Sequence, residues 1–297
     1  MVKRFAPFLD LAERTQKPRK SGLTMVFDHG WPVSFVEETA EALADAIDIV
    51  KISYFHLYQS EGFVTRKLKA YKKYDVDIQA GGPIIEIARA EHKEVQTLKY
   101  LKRLGFDSLE VASEAVPTKP SEEEDEKFIA LCKSMGFGVH GEVGKKFPEG
   151  DQTRRSANEV DVAETVKEFK SYLRMGAENV YWEGHLLRMA LGEMGQREEG
   201  RKPVLEVAKA VGQNNIIFEV PGTFLPYAGK RALQALLVYL FGPNVNIGNA
   251  LPEELTELEV IRAGNFPAFG APHGDHPWMA SLVNHGGKAA SEWWKGK

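Results

Sequence analysis

Residues 107–143 have the sequence DSLEVASEAVPTKPSEEEDEKFIALCKSMGFGVHGEV. A short run with β-branched residues opens this stretch and another closes it, and residues 121–135 between them have the apolar spacing of a helix. Ser121 followed by four acidic residues is typical of a helix N-terminus, and Gly136 is placed to end that helix in a left-handed conformation. The stretch therefore predicts a strand–helix–strand unit of a parallel sheet.

The same unit recurs along most of the chain. Short apolar runs that predict strands occupy residues 23–27, 47–52, 76–79, 107–111, 138–143, 179–183, 215–220 and 244–247. Helical spacing of apolar residues occupies residues 33–46, 61–74, 91–104, 121–135, 159–175, 203–212, 227–240 and 252–262. Eight such units in succession, with no change of composition between them, predict an α/β fold of the closed (β/α)₈ TIM-barrel type.

The limits of this alternation predict the domain organisation. We expect an N-terminal arm with solvated basic residues at 1–20, one barrel at 21–264, and an irregular C-terminal extension at 265–297. The extension is rich in Gly, Pro and aromatic residues and is expected to pack over the barrel or against a second subunit of a homo-oligomer. An open doubly wound sheet is the alternative fold, although no GxGxxG dinucleotide fingerprint follows the first strand.

Composition argues against several classes of protein. The formal net charge of −4 over 297 residues gives no electrostatic reason to bind nucleic acid. No apolar run approaches the ~20 residues that cross a bilayer, and the N-terminus lacks the apolar stretch of a secretory signal. We therefore expect a cytoplasmic protein without membrane or nucleic-acid partners. The single cysteine, Cys132, lies in an apolar helical stretch and is expected to be a buried structural thiol.

Strand periodicity indicates which side chains point into the barrel. Neighbouring residues of a strand face opposite sides, so apolar outward positions leave polar residues facing inward. The inward residues predicted near the carboxyl ends of the strands are Asp28, Lys51, Glu110, His140, Glu142, Tyr181, Glu183, Glu219 and Asn246. The carboxyl ends form the face on which such barrels carry out catalysis. The sequence therefore predicts one charged mouth.

Carboxylates gathered at one mouth require positive charge. Burying an unpaired carboxylate costs several kcal/mol, so cations must accompany it. The candidates are Lys51, the pair Lys145 and Lys146 directly after the fifth strand, and a divalent metal, for which glutamate oxygens favour Mg²⁺. Another divalent metal stays open, as does the interpretation of these residues as structural ion pairs.

Several segments of the chain resemble the phosphosulfolactate synthases, which are (β/α)₈ barrels. The resemblance runs from about residue 20 to about residue 264 and is carried by GLTMVFDHG, IDIVK, QAGGPIIEIA, LGFDSLEVA, GEVGKKFP, VYWEG, IIFEVP and FGPNVNIGN. That family joins sulfite to phosphoenolpyruvate in a Mg²⁺-dependent step. The resemblance implies a metal-stabilised enolate and a lysine that protonates C2, with Lys145 or Lys146 in the EVGKK stretch as that acid.

The resemblance also implies roles for other residues of the mouth. Lys51 joins Lys145 and Lys146 as a catalytic candidate. The implied metal ligands are Glu110, Glu142, Glu183 and Glu219. We expect contacts to a small anionic substrate from residues that match the family and from residues that replace its own: Asp28, His29, Tyr54, His56, Gly81, Gly82, His185, Arg188 and Asn246.

Departures from the family pattern fall where anions are bound. His29 stands in place of a lysine, SYFHLYQ replaces GWGTS after the second strand, and His185 stands at an arginine position. Lysine and arginine hold phosphate and sulfonate groups, so their loss predicts an altered substrate pocket. A related addition or lyase-type reaction on another phosphorylated or carboxylated substrate is the expected activity.

Two alternatives follow from these departures. His29, His56 and His185 all follow predicted strands, so they could form a Zn²⁺, Mn²⁺ or Fe²⁺ site with a glutamate, although no compact metal motif is present. The plant heat-stress-associated proteins also resemble these synthases. A non-catalytic stress or interaction protein built on the same barrel is therefore the alternative function.

Overall fold

Eight parallel strands form the centre of the molecule. The computed structural model describes Phe8 and residues 14–112, 120–144, 160–220 and 227–263. The strands are β1 Thr24–Asp28, β2 Ile49–Ile52, β3 Asp77–Ala80, β4 Ser108–Val111, β5 Gly138–Val143, β6 Asn179–Trp182, β7 Ile216–Glu219 and β8 Ile247–Ala250. Each strand pairs with the next, and β8 pairs with β1. The closed order confirms the predicted TIM barrel and excludes the open sheet.

Helices surround the strands. They are α1 Val33–Leu43, α2 Glu61–Lys72, α3 Gly82–Ala90, α4 Glu94–Leu104, α5 Glu122–Ser134, α6 Val162–Met175, α7 Gly184–Leu191, α8 Arg201–Val211, α9 Tyr227–Phe241 and α10 Leu255–Arg262. Sequence periodicity did not predict α3 and α7, which are short and begin with a glycine two positions after the last residue of a strand. The predicted eighth strand, 244–247, is displaced, because β8 begins only at Ile247.

Two apolar layers hold the barrel together. The larger layer lies between strands and helices and includes Val26, Leu109 and Trp182. The smaller one fills the barrel interior with Leu23, Met25, Ile49, Tyr181 and Ile217. Burial of both layers supplies the dominant favourable free energy of folding. The two layers also show directly which face of each strand points inward.

The amino-terminal end of the barrel is closed by buried ion pairs. Arg14 donates to Asp48 Oδ2 at 2.7 Å and also pairs with Glu259, and Arg19 donates to Asp48 Oδ1 at 2.8 Å. Arg14 is only 6% exposed. The prediction that the basic residues of the arm are solvated is therefore wrong for these two arginines, because they compensate the buried carboxylate of Asp48.

A polar cavity of about 360 Å³ lies at the same end, with Asp77, Asp107 and Glu178 in its lining. Burial raises the pKa of Asp77 to about 6, and the nearby charges of Asp107 and Glu178 act in the same direction. Ser108 donates a hydrogen bond to the Asp77 carboxylate. At neutral pH, the buried negative charge of Asp77 therefore destabilises the folded state.

Cys132 is buried in α5, as predicted. Burial raises the pKa of its thiol to about 12, which keeps it protonated and unreactive at neutral pH. Among the helices of the described residues, none is both long and apolar enough to cross a membrane.

Candidate active site

Three glutamates converge inside the carboxyl-terminal mouth of the barrel. Glu110 lies on β4, Glu142 on β5 and Glu219 on β7. One carboxylate oxygen of each lies within 4.8 Å of the corresponding oxygens of the other two. All three side chains are buried, with Glu142 the most exposed at 8%. We call these three residues the acid cluster.

Lys51 of β2 supplies positive charge to the acid cluster. Its Nζ donates to Glu110 Oε1 at 2.7 Å and to Glu219 Oε1 at 2.8 Å. Burial by itself would lower the pKa of Lys51, but the carboxylates of Glu110 and Glu219 outweigh burial and raise that pKa well above its ordinary value. Lys51 is therefore a charged ammonium group that connects β2 with β4 and β7.

Neighbouring groups fix the positions of Lys51 and Glu110. The Lys51 Nζ lies 4.5 Å from the centroid of the Tyr181 ring, and the Tyr181 hydroxyl donates to Gln79 Oε1 at 2.9 Å. The backbone N–H of Gly82, the first residue of α3, donates to Glu110 Oε2 at 2.6 Å. Both oxygens of Glu110 are thus held by donors, one charged and one at a helix N-terminus.

Two glycines predicted as substrate contacts lie against this cluster. A Cβ at Gly81 would lie 2.7 Å from Ser53 Oγ and 3.3 Å from Lys51 Cγ. A Cβ at Gly82 would lie 3.4 Å from Glu110 Oε2. The glycine pair therefore allows the end of β3 to approach the charged side chains closely.

The donor set of the acid cluster fits a divalent cation. Three carboxylates and one ammonium give these four side chains a formal charge of −2, which a divalent ion balances. Oxygen ligands at close mutual distance suit Mg²⁺, which is bound through one or two carboxylates together with water and substrate. A bound cation would share Glu110 and Glu219 with the ammonium of Lys51.

Glu183 was predicted as the fourth metal ligand, but the structure places it elsewhere. Its side chain accepts a hydrogen bond from the backbone N–H of Leu186 at 3.0 Å and so caps the N-terminus of α7. It is not among the three carboxylates whose oxygens converge. Lys145 and Lys146, the predicted acids, lie outside the described residues, directly after Gly144 at the end of β5.

Asp28 faces the helices and not the barrel interior, so its predicted inward orientation is wrong. Its Oδ1 accepts from Lys67 Nζ at 2.8 Å and its Oδ2 from the Tyr71 hydroxyl at 3.0 Å, both on α2. His56 Nε2 lies 3.3 Å from the same carboxylate. Alternation along β1 turns Asp28 away from the barrel interior, into which Met25 points. Asp28 and His56 therefore belong to a buried polar network between β1 and α2.

This network controls the ionisation of Asp28. Burial alone would raise the pKa of Asp28, but the hydrogen bond with His56 and the charge of Lys67 outweigh it and lower that pKa to about 2. The side chain of Asp28 is fully buried. Asp28 therefore has a structural role: its ionised carboxylate connects β1 to α2.

Asn246 lies at the opposite end of the barrel from the mouth, so its predicted place at the carboxyl end of the eighth strand is wrong. Its Oδ1 accepts from the Leu23 N–H at 2.9 Å, and its Nδ2 donates to the carbonyl oxygens of Asn214 and Ile216. These groups precede or begin β1 and β7. Asn246 therefore precedes β8, and its side chain binds backbone groups at the amino-terminal end of the barrel.

The remaining predicted contacts lie in loops or a helix that follow strands. His29 and Tyr54 are partly exposed, and the His29 ring contacts the rings of Phe27 and Phe55 at centroid distances of 4.7 and 5.0 Å. His185 and Arg188 are both on α7. The three-histidine metal site is not formed, since His56 belongs to the Asp28 network and, in the described parts of the chain, the converging ligand group is the acid cluster.

Sequence reasoning did not single out the aromatic residues Phe27 and Phe55 or the buried Lys67. The available signal was alternation from Met25, which places Phe27 on the interior face. For Lys67 the signal was a lysine on the apolar face of α2, where it is fully buried. A buried lysine requires a carboxylate partner, and Asp28 is that partner.

A (β/α)₈ barrel with carboxylates and a lysine at its carboxyl-terminal mouth has the organisation of the barrel enzymes. Comparison with known families makes this specific: residues 12–266 match the model of ComA, (2R)-phospho-3-sulfolactate synthase. The chain belongs to this family.

Relatives of known name agree with the assignment. The chain is 30% identical over 253 residues to the phosphosulfolactate synthase of Methanothermobacter thermautotrophicus, an alignment that covers 84% of this chain and 92% of the relative. It is 25% identical over 258 residues to the Bacillus subtilis phosphosulfolactate synthase, covering 86% and 95%. These identities are those of a divergent member.

Solved structures support the fold. The YdjI aldolase from Escherichia coli K12 superposes with a TM-score of 0.51 at 12% identity, covering 93% of this chain and 91% of the aldolase. A putative fructose-1,6-bisphosphate aldolase from Coccidioides immitis gives the same values. At this identity the likeness concerns the barrel architecture alone.

Proposed function

We propose that this chain catalyses the addition of a nucleophile to phosphoenolpyruvate or to a related small phosphorylated or carboxylated substrate. The observation that carries the proposal is the acid cluster with Lys51 at the mouth of a barrel that belongs to the phosphosulfolactate synthase family. Family membership supports the reaction class. The departures at His29, Tyr54 and His185 support a pocket that differs from that of the named relatives.

Glu110, Glu142 and Glu219 are the residues that would hold a divalent cation, and their oxygen donors favour Mg²⁺. When bound, such a cation supplies positive charge that stabilises the negative charge developing on the substrate carboxylate. Lys51 keeps Glu110 and Glu219 in place. Because the pKa of Lys51 is raised well above its ordinary value, this residue acts through its charge and is a poor proton donor at neutral pH.

The proton donor is proposed to be Lys145 or Lys146. The lone pair of the nucleophile forms a bond to C3 of the enol, and the electrons of the double bond move to C2 and the carboxylate. A proton delivered to C2 completes the addition, and the lysine that gave it is neutral until solvent protonates it again. The two lysines follow Glu142 by three and four positions in the sequence, which supports their candidacy as the proton donor.

A non-catalytic stress or interaction protein is the alternative. That function gives no reason for three carboxylates and a lysine to be gathered in the barrel mouth at the cost of burying them.

We further propose that the protein is cytoplasmic and homo-oligomeric. Light scattering during gel filtration measures the oligomeric state directly.

Calorimetry and turnover test the proposal together. Mg²⁺ or Mn²⁺ is titrated into the protein, followed by phosphoenolpyruvate, and turnover with sulfite is followed by ³¹P NMR. We expect Glu142→Gln to weaken cation binding by about tenfold or more. Glu126→Gln, an exposed acid-to-amide change on α5, is the matched control and is expected to bind as the wild type does.

Lysine variants test the proton donor separately. We expect one of Lys145→Ala and Lys146→Ala to abolish turnover while cation binding persists. Absence of cation and phosphoenolpyruvate binding in the wild-type protein would overturn the proposed function and favour the non-catalytic alternative.

A further inference from the structure

Four rings contact one another on the side of the mouth formed by β1 and β2. Tyr54 and Phe55 lie 4.3 Å apart between centroids, Phe55 lies 5.0 Å from His29, and His29 lies 4.7 Å from Phe27 with its plane perpendicular. Phe27 and Phe55 are 5.8 Å apart. We call Phe27, His29, Tyr54 and Phe55 the aromatic wall.

The aromatic wall begins beside the acid cluster. Phe27 of β1 is in register with Lys51 of β2, and alternation from Met25 places the Phe27 ring on the interior face. Tyr54 and Phe55 lie in the short 3₁₀ helix Tyr54–Tyr58 after β2. The site at which the acid cluster would hold a cation and a continuous aromatic surface therefore adjoin at one opening.

The rings of the wall are available to a ligand. All four side chains are partly exposed, and Tyr54 is 39% exposed. Burial, together with the positive charge of Lys230, lowers the pKa of His29, so the wall presents a neutral imidazole and three aromatic faces.

Such a surface selects ligands by shape and polarity. Aromatic faces bind planar apolar groups through offset or edge contacts, and a neutral imidazole gives an inorganic anion no net charge to pair with. We propose that the substrate is a small carboxylate that carries a planar aromatic group, with its carboxylate at the cation that the acid cluster would hold and its ring on the aromatic wall. This inference rests on the proposed function for the carboxylate end and adds the chemical class of the side group.

Two probes that differ only by a phenyl group test the proposal. Pyruvate and phenylpyruvate are titrated into the wild-type protein in the presence of Mg²⁺, and binding is measured by calorimetry. Burying one phenyl ring is expected to make phenylpyruvate bind about 10–100-fold tighter than pyruvate. Equal affinities would overturn the proposal and leave the proposed function standing.

Variants of the same 3₁₀ helix locate the effect. Phe55→Ala is expected to reduce the preference for phenylpyruvate to about threefold or less and to leave pyruvate binding unchanged. Tyr58→Ala is the control, because Tyr58 is 95% exposed and lies outside the wall, and the preference should persist there. Equal loss in both variants, or a preference that Phe55→Ala leaves intact, would overturn the placement of the ring on the wall.

The two proposals fail in different ways. If phenylpyruvate binds and its affinity depends on Phe55 while pyruvate does not bind, the aromatic wall stands and the carboxylate end of the proposed function fails. If neither probe binds with Mg²⁺ present, the aromatic-wall proposal is overturned, and the titration with phosphoenolpyruvate decides the proposed function separately.

Discussion

The Nζ of Lys51 lies 2.8 Å from Oε1 of Glu219, although 168 residues of chain separate them. Three strand pairings around the barrel, β2 with β1, β1 with β8 and β8 with β7, separate the two residues along the sheet. The contact therefore crosses the barrel interior, and it connects the charge balance of the candidate active site to the closure of the fold.

Removing this ammonium should destabilise the protein. Lys51→Met leaves the carboxylates of Glu110 and Glu219 buried without their shared cation, and we expect a loss of about 3–5 kcal/mol in the free energy of unfolding. Urea denaturation measures it. Saturating Mg²⁺ should recover part of the loss, because a bound cation replaces the missing charge. A variant as stable as wild type, or one indifferent to Mg²⁺, would contradict the assigned role.

The matched control for this variant is Lys127→Met. Lys127 pairs with Glu123 on the exposed face of α5, where both side chains are more than 70% exposed. Exposed pairs contribute little to stability, so urea denaturation should give nearly the wild-type value.

Asp28 should make the protein acid-sensitive. Its pKa is about 2 in the folded protein against an ordinary value of 3.8, so the folded state binds this proton less readily than the unfolded state. The resulting stabilisation, about 2 kcal/mol, is complete above pH ~4 and is lost as pH falls through ~2. Asp28→Asn should be less stable at pH 7, with the difference shrinking towards pH 2, in urea titrations. A constant difference across that range would disprove the ionic origin.

The ionisation of Asp77 should change stability with pH in the opposite direction to that of Asp28. Its pKa is about 6 in the folded protein, so the folded state holds the proton more tightly than the unfolded state, and stability from this group falls as pH rises from about 4 to 6. Asp77→Asn keeps an acceptor for Ser108 and should raise stability at pH 7.5 by up to about 3 kcal/mol. Near pH 4 the two proteins should melt alike. Thermal melts at both pH values measure the change, and a destabilised variant at pH 7.5 would refute it.

Gly81 should be intolerant of a side chain. Gly81→Ala places a Cβ 2.7 Å from Ser53 Oγ and 3.3 Å from Lys51 Cγ, so Ser53 must move and the Lys51 side chain must shift by a few tenths of an ångström. We expect cation affinity to fall by about tenfold or more, measured by calorimetry. Gly62→Ala is the control, because a Cβ there meets no atom within 4 Å. Unchanged affinity in Gly81→Ala would show that the glycine has no role in positioning Lys51.

The order of elements could be read from local patterns because periodicity, caps and turns depend on neighbours in the chain. Seven of the eight strands were placed to within a few residues, and the inward positions of Lys51, Glu110, Glu142 and Glu219 followed from alternation. The eighth strand was displaced because Asn244 and Asn246 use their side chains to bind backbone at the amino-terminal end of the barrel, before β8 begins.

The orientation of β1 could not be derived from the sequence. Both of its faces carry apolar residues before Asp28, so alternation did not distinguish them, and Asp28 was assigned inward as an acid of the mouth. The structure supplies Lys67 and Tyr71 from α2 as partners on the other side. The capping role of Glu183 could not be derived for a similar reason, since it depends on α7, which periodicity did not predict.

By itself the sequence determined a barrel of alternating strands and helices with acids and a lysine at the carboxyl ends of its strands, because those properties have short periods along the chain. Only tertiary structure decided which acids meet. Closure of β8 onto β1 and the register of each strand pair set the distances across the interior, and these arise from packing between residues far apart in the chain.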